Sequence, residues 1–179
     1  MKQSGMTLLE LMAVLAIVAI LLTMALPGFA SLARSSRLSS ATNEMVSFLH
    51  LARSEAIKRK ARAVMCPSAT GGSCAESGGW HQGWILFHDA NNNAALDAGE
   101  VVILNRPGLA VGLRLTGNQP VSHYISYTPE GAAQLTSGAF QAGTLTVCEQ
   151  SLDPASARQI IISSTGRPRT VKATIDACL

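Results

Sequence analysis

Charge is what the early part of this chain lacks. Between Leu11 and Ala33 there is no Asp, Glu, Lys or Arg, and charged residues make up only 14% of the whole. Cysteine is absent from the first 65 residues. The four histidines are scattered with no pair at ligand spacing, which argues against a histidine-built metal or catalytic centre. No nucleophile elbow, phosphate-binding glycine loop or dinucleotide fingerprint occurs, so nothing argues for an enzyme. The few charges are also unevenly placed. Residues 28–60 carry six basic and two acidic side chains, whereas residues 61–179 carry seven basic and eight acidic ones. The pI of about 8.8 therefore reflects one segment, and the remainder is not a broadly basic nucleic-acid binder.

The uncharged run is long enough to be an anchor. A membrane-spanning helix needs roughly 20 mainly apolar residues, and Leu8 to Leu26 with its margins meets that length. A cleaved secretory signal would have an apolar core of about 7–15 residues and a small-x-small exit, and neither feature fits. Lys2 stands against Arg34 and Arg37 on the far side, so the positive-charge rule leaves the orientation open. The cysteines break the tie. Cys66, Cys74, Cys148 and Cys178 all follow the run, and an even count in a small exported domain suggests two disulfides. Three pairings exist; Cys66–Cys74 with Cys148–Cys178 is preferred, closing a short Gly/Ser-rich loop and tying down the C-terminus. The spacings do not suit a zinc site. Residues beyond about 28 are expected in an oxidising compartment.

After Pro27-Gly28 a helical period continues. Phe29, Leu32, Leu38, Ala41, Met45, Phe48, Leu49, Ala52 and Ala56 recur mostly at three- to four-residue steps. One helix of about 50 residues is expected, apolar all round in its first half and amphipathic in its second, with an interruption and kink at Pro27. Cations gather at its end, "KRKAR", where they suit the negative pole of the helix. From Ala63 the pattern changes to short β-like runs between turn residues: "ARAVMC", "WILFH", "VVILN", "VGLRL", "SHYISYT", "GTLTVC", "RQIIIS" and "RTVKAT". The fold class expected is α+β, a long N-terminal helix packed on an antiparallel β-sheet head.

One short stretch concentrates the functional information. "GMTLLE", residues 5–10, puts Glu10 at the edge of the apolar run, where a carboxylate is costly unless it reaches water or a partner. This stretch and the apolar run behind it resemble the processing signal of type IV pilins and type II secretion pseudopilins. The resemblance implies that a prepilin peptidase cuts after Gly5 and methylates the new N-terminus at Met6, where the family usually has Phe. It places Pro27 where pilins commonly carry a helix-breaking proline. It also gives Glu10 a role: the freed amine of a neighbouring subunit neutralises it and sets register in a filament, since a buried ion pair specifies arrangement better than it stabilises. The segments expected are a leader at 1–5, a transmembrane and filament-core helix at 6–27, an amphipathic helix at 28–62 and a β-rich periplasmic head at 63–179. "NEMVSFLHLARSEAIKRKARAVMC", "GWHQGWILFHDANNN" and "SSTGRPR" are similar to the GspH/FimT family of minor pilins and pseudopilins. That resemblance implies an inner-membrane protein partnered by other pilins or pseudopilins, in a type IV pilus or a type II secretion system.

Two constellations remain. "DANNNAALDAGE" places Asp89, Asn91, Asn93, Asp97 and Glu100 at positions one, three, five, nine and twelve of a calcium-loop spacing. Ala94 stands where that loop needs glycine, and the flanks read as strands. A hairpin loop stabilised by local Asn and Asp turns is the competing reading, and any calcium would be structural. "STGRPR" is the sharper case. Arg158, Arg167, Arg169 and Lys172 lie in a stretch free of acids, and Pro168 keeps the chain extended, so Arg167 and Arg169 should project on one side. Two forked guanidinium groups suit phosphate oxygens. Within the family, the FimT branch uses a C-terminal G-R-x-R loop to bind DNA, which implies a salt-sensitive backbone contact here. Solvated surface charge, or contact with another pilin, is the alternative. Arg53 and Lys58 to Arg62 would extend that patch or merely solvate the helix end, the second being favoured. Trp80 and Trp84 suit core packing better than base stacking.

Overall fold

The computed structural model describes residues 8–178, with backbone alone for residues 22 and 24–27. Gly5 and Met6 lie outside the described residues. Helix α1 runs from Leu8 to Arg59, and the chain divides between Arg37 and Leu38 into two units. The helix passes through Pro27 unbroken, so the expected interruption is not a break. One missing backbone donor with long helix on both sides is tolerable.

In the first unit every described side chain from Leu8 to Leu21 is exposed, Leu8 and Leu9 by 77% and 78%. Phe29 and Leu32, expected on an amphipathic face, are also exposed. Among the described residues no helix is long and apolar enough to cross a membrane. The apolar run of the sequence continues through residues 22 and 24–27, whose side chains are not among those described.

In the second unit, Leu38, Ala41, Met45, Leu49, Ala52 and Ala56 form the buried stripe of α1 at the expected helical spacing. The helix ends in a paired cap. Lys60 takes the left-handed position (φ 54), its amide donates to Ile57 O, and the Ala61 amide donates to Ala56 O. Lys58 and Arg59 in the last turn complement the helix dipole, and both pair with Glu55.

Among the described residues there are eight strands, β1 (Ala63–Pro67), β2 (Gly83–His88), β3 (Val102–Pro107), β4 (Leu113–Gly117), β5 (Ile125–Tyr127), β6 (Gly143–Glu149), β7 (Ala155–Ile162) and β8 (Pro168–Ile175). They build two four-stranded antiparallel sheets, ordered β3-β2-β1-β5 and β4-β6-β7-β8. The division follows the pairing: β4 joins β6, while β5, beyond the short 3-10 turn Gln119–Val121, returns to β1.

The main core joins the α1 stripe to one face of each sheet. Ala63, Met65, Trp84 and Leu86 come from the first sheet, and Leu115, Leu145, Val147, Ile160 and Ile162 from the second. Trp80 and Trp84 are fully buried, as core packing requires; the Trp80 indole donates to Val121 O at 2.9 Å. Arg106 on β3 forks onto Glu44 of α1 at 2.6 and 2.7 Å and lies 5.6 Å from the Trp84 ring centre. The first sheet is buried on its second face as well, where Val64, Cys66, Ile85 and Phe87 form a separate cluster. Loop residues Cys74, Ala94 and Leu96 cover it.

Candidate functional site

The β7–β8 hairpin carries the basic motif. Eight register pairs run from Ala155↔Ile175 to Ile162↔Pro168, and the turn closes with the Gly166 amide donating to Ser163 O at 2.8 Å. Gly166 has φ +77, and a Cβ there would stand 2.5 Å from Gly131 O and 2.9 Å from Tyr127 Cε1. Only glycine fits this position. The Ser163 hydroxyl oxygen accepts from the Arg167 amide at 3.3 Å, which fixes where the first arginine leaves the turn.

Register then sorts the cations. Ile160 and Ile162 point into the core, so their partners Thr170 and Pro168 share the inner face. Arg169 pairs with Ile161 and therefore belongs to the outer face; Arg167 precedes the paired residues, and strand alternation continued two residues back gives it the same side. Both arginines are exposed, and among the described residues neither forms an ion pair or a side-chain hydrogen bond. Arg158 and Lys172 face each other across the two strands on the inner side. Arg158 is half-buried there and donates from Nη2 to Ser39 Oγ at 3.2 Å. The structure brings Arg167 and Arg169 together and sets Arg158 and Lys172 apart from them.

The Asp89–Glu100 loop uses its oxygens on itself. Asp89 is 1% exposed, and its two carboxylate oxygens accept from the amides of Asn93 and Ala94 at 3.1 and 3.0 Å. Glu100 accepts from the amides of Ala90 and Asp97 at 2.8 and 3.1 Å. Asp97 Oδ2 accepts from the Asn91 and Asn93 side-chain amides, each at 2.7 Å. Asn92 and Ala94 adopt φ of 63 and 59, the left-handed region such a turn demands. No group of three His, Cys, Asp or Glu is arranged to hold a metal among the described residues.

Both preferred disulfides are present, Cys66–Cys74 and Cys148–Cys178. The first sits beside the covered face of the first sheet; the second packs with Ala157 and Ile175 on the outside of the second. Glu10 is exposed in the first turn of α1, where the positive pole of the helix favours a carboxylate.

The run of cations at the helix end separates into different environments. Arg59 is 2.6 Å from Glu55, and Arg62 bonds Asn92 Oδ1, Ser126 Oγ and Gln134 O. Arg53 differs: its Nε is buried without a hydrogen-bond partner, as is the hydroxyl of the fully buried Tyr127. Burial pushes the Tyr127 phenol well above its ordinary pKa, with the Arg53 charge opposing. Sequence reasoning missed Tyr127, because one tyrosine within a strand run carries no pattern that marks it off from core.

The sequence matches the Type II transport protein GspH family over residues 41–166 and the prokaryotic N-terminal methylation motif over residues 1–26. No curated relative matches. Two crystal structures of the type IV minor pilin FimU from Pseudomonas aeruginosa strain PAO1 share the fold at 18% identity. One aligns with a TM-score of 0.57 over 81% of this chain and 97% of that one. The other, from a second crystal form, aligns at 0.55 over 79% and 100%.

Proposed function

The chain belongs to the GspH family of type IV pilin-like proteins and carries the N-terminal methylation motif, and on that premise we propose that it is a minor type IV pilin whose head contacts DNA through Arg167 and Arg169. Prepilin peptidase removes residues 1–5 and methylates the amine of Met6. Residues 6–27 span the inner membrane with the head in the periplasm, until the subunit enters a filament beside other pilins. Exposure of every described side chain from Leu8 to Leu21 supports this reading, since such a surface calls for lipid or neighbouring helices. The protein is a structural subunit, with no catalytic role.

The observation that carries the DNA reading is the shared outer face of Arg167 and Arg169, both exposed and without an acidic partner. Two guanidinium forks on a hairpin pinned by Gly166 suit consecutive phosphates and give sequence-independent, salt-sensitive binding. The full chain in detergent should retard duplex DNA at low salt, and Arg167→Ala/Arg169→Ala should abolish the shift. Equal retardation by the double variant sinks the reading. For assembly, Glu10→Ala should still be cut after Gly5 yet fail to incorporate; normal incorporation refutes the register role.

The type II transport description of the matched family favours a second reading, a minor pseudopilin that primes a short secretion pseudopilus. Gene deletion separates the two. Loss of surface pili and transformation follows from the first, and retention of secreted proteins in the periplasm from the second.

A further inference from the structure

Each sheet has two edge strands, and the fold flanks or interrupts three of the four. β5 is masked by the segment after it: the Thr128 amide donates to Ala132 O, the Gln134 amide donates to Ser126 O, and Tyr127 bridges Ala133. β4 is flanked by Gly79 and the turn Trp80–Gln82, so close that a Cβ on Gly79 would stand 2.8 Å from Leu115 O. β3 has residues 68–71 beside Asn105–Pro107, and its register with β2 slips between Leu86 and Phe87. β8 is left bare. Among the described residues, Pro168–Ile175 are hydrogen-bonded only to β7.

Alternation along the ladder settles which groups point outward. The Ser163 amide donates to Arg167 O at 3.2 Å, so the bonded pairs that follow are Ile161↔Arg169, Gln159↔Val171 and Ala157↔Ala173. The backbone groups of the residues between them, Pro168, Thr170, Lys172 and Thr174, therefore face away from β7. They offer three amides and four carbonyls in an unbulged row, since proline has no N–H. Thr170, Lys172 and Thr174 are exposed, which leaves room for a further strand about 4.8 Å away. Charge narrows what that strand is. No acid occurs from Pro154 to Ile175, while Arg169 and Lys172 lie on opposite faces of β8. Two copies joined antiparallel along this whole edge would set their Lys172 side chains opposite or diagonal, a like-charge contact. Lysine on an edge strand deters such self-pairing, and the same charge attracts a strand that carries Asp or Glu.

We propose that the free edge of β8 is a strand-addition site for an extended acidic segment of a partner protein. Affinity comes from main-chain bonds to Thr170, Lys172 and Thr174, and selectivity from Lys172 on one face with Arg169 on the other. The site rests on the β7–β8 ladder and does not need the DNA reading, which uses arginine side chains at the turn.

The test uses the full chain in detergent, with peptides matched to the eight residues of β8 and alternating Glu and Val, Ser and Val, or Lys and Val. The Glu peptide should bind about tenfold more tightly than the Ser peptide, and the Lys peptide more weakly than either. With the Glu peptide bound, amide exchange read by NMR should slow at Thr170, Lys172 and Thr174. It should not change at Val171 and Ala173, which β7 already holds. Lys172→Pro removes one outward amide and no β7 bond, so Tm should stay within about 2 °C while Glu-peptide affinity falls about tenfold. Lys172→Glu keeps that amide and should reverse the order, favouring the Lys peptide, which separates lost recognition from lost folding. Arg167→Ala/Arg169→Ala should lose DNA and keep the exchange protection, so the two readings fail separately. Binding of the Glu peptide without protection of those three amides overturns the proposal, because charge alone then explains it. Equal affinity for all three peptides overturns it too, as does an unreversed order in Lys172→Glu.

Discussion

Two loops of the head look alike in sequence, since each gathers polar residues that suit a ligand, yet they are built in opposite ways. The Asp89–Glu100 loop turns its carboxylates inward onto six polar hydrogens of its own, and it seats Ala94 and Leu96 on the first sheet. The Ser163–Arg167 turn is closed by backbone bonds, the Ser163 hydroxyl and one glycine, leaving its arginine side chains no internal task. The lesson is that ligand-type residues become available only when something else holds the loop. Asn and Asp readily make local turns themselves, whereas arginine seldom does.

That contrast can be broken by substitution. The largest effect is expected for Gly166→Val, which combines a φ of +77 with a Cβ 2.5 Å from Gly131 O. A loss of about 4 kcal/mol in thermal unfolding, with weakened DNA binding, is the expected outcome. Asp89→Ala comes next, at about 3 kcal/mol, because the buried Asp89 carboxylate that accepts from two loop amides is lost; DNA affinity should not change. A fall in DNA affinity there would mean that the two loops are coupled. Arg167→Ala/Arg169→Ala should reverse the pattern, weakening DNA binding about thirtyfold while moving stability by less than about 0.5 kcal/mol. Smallest of all, millimolar calcium should stabilise the chain by less than about 0.5 kcal/mol, read as a Tm shift, because the carboxylates are already bonded. A larger shift would show that a cation displaces those amides.

Much of this was legible in the sequence. The stripe from Leu38 to Ala56 and the run of strands follow from period and alternation, and the disulfide pairing preferred among three is the one present. The division into two sheets was not legible, because local alternation is blind to which strands pair and β5 is only three residues long. Nor was the separation of Arg158 and Lys172 from the patch. A count of charges within a window ignores the face each residue takes, and pairing with β7 puts these two on the core side. The isolation of Arg53 within a cationic run depends on Gly131 and Tyr127, more than 70 residues further along the chain.

The most direct measurement is the salt dependence of DNA affinity, with the parent chain and Arg167→Ala/Arg169→Ala compared in the same detergent. If the hairpin holds two backbone phosphates, the slope of log K against log salt falls in magnitude by about two in the double variant, with little dependence on DNA sequence. An unchanged slope, with affinity equal to the parent, would contradict the account.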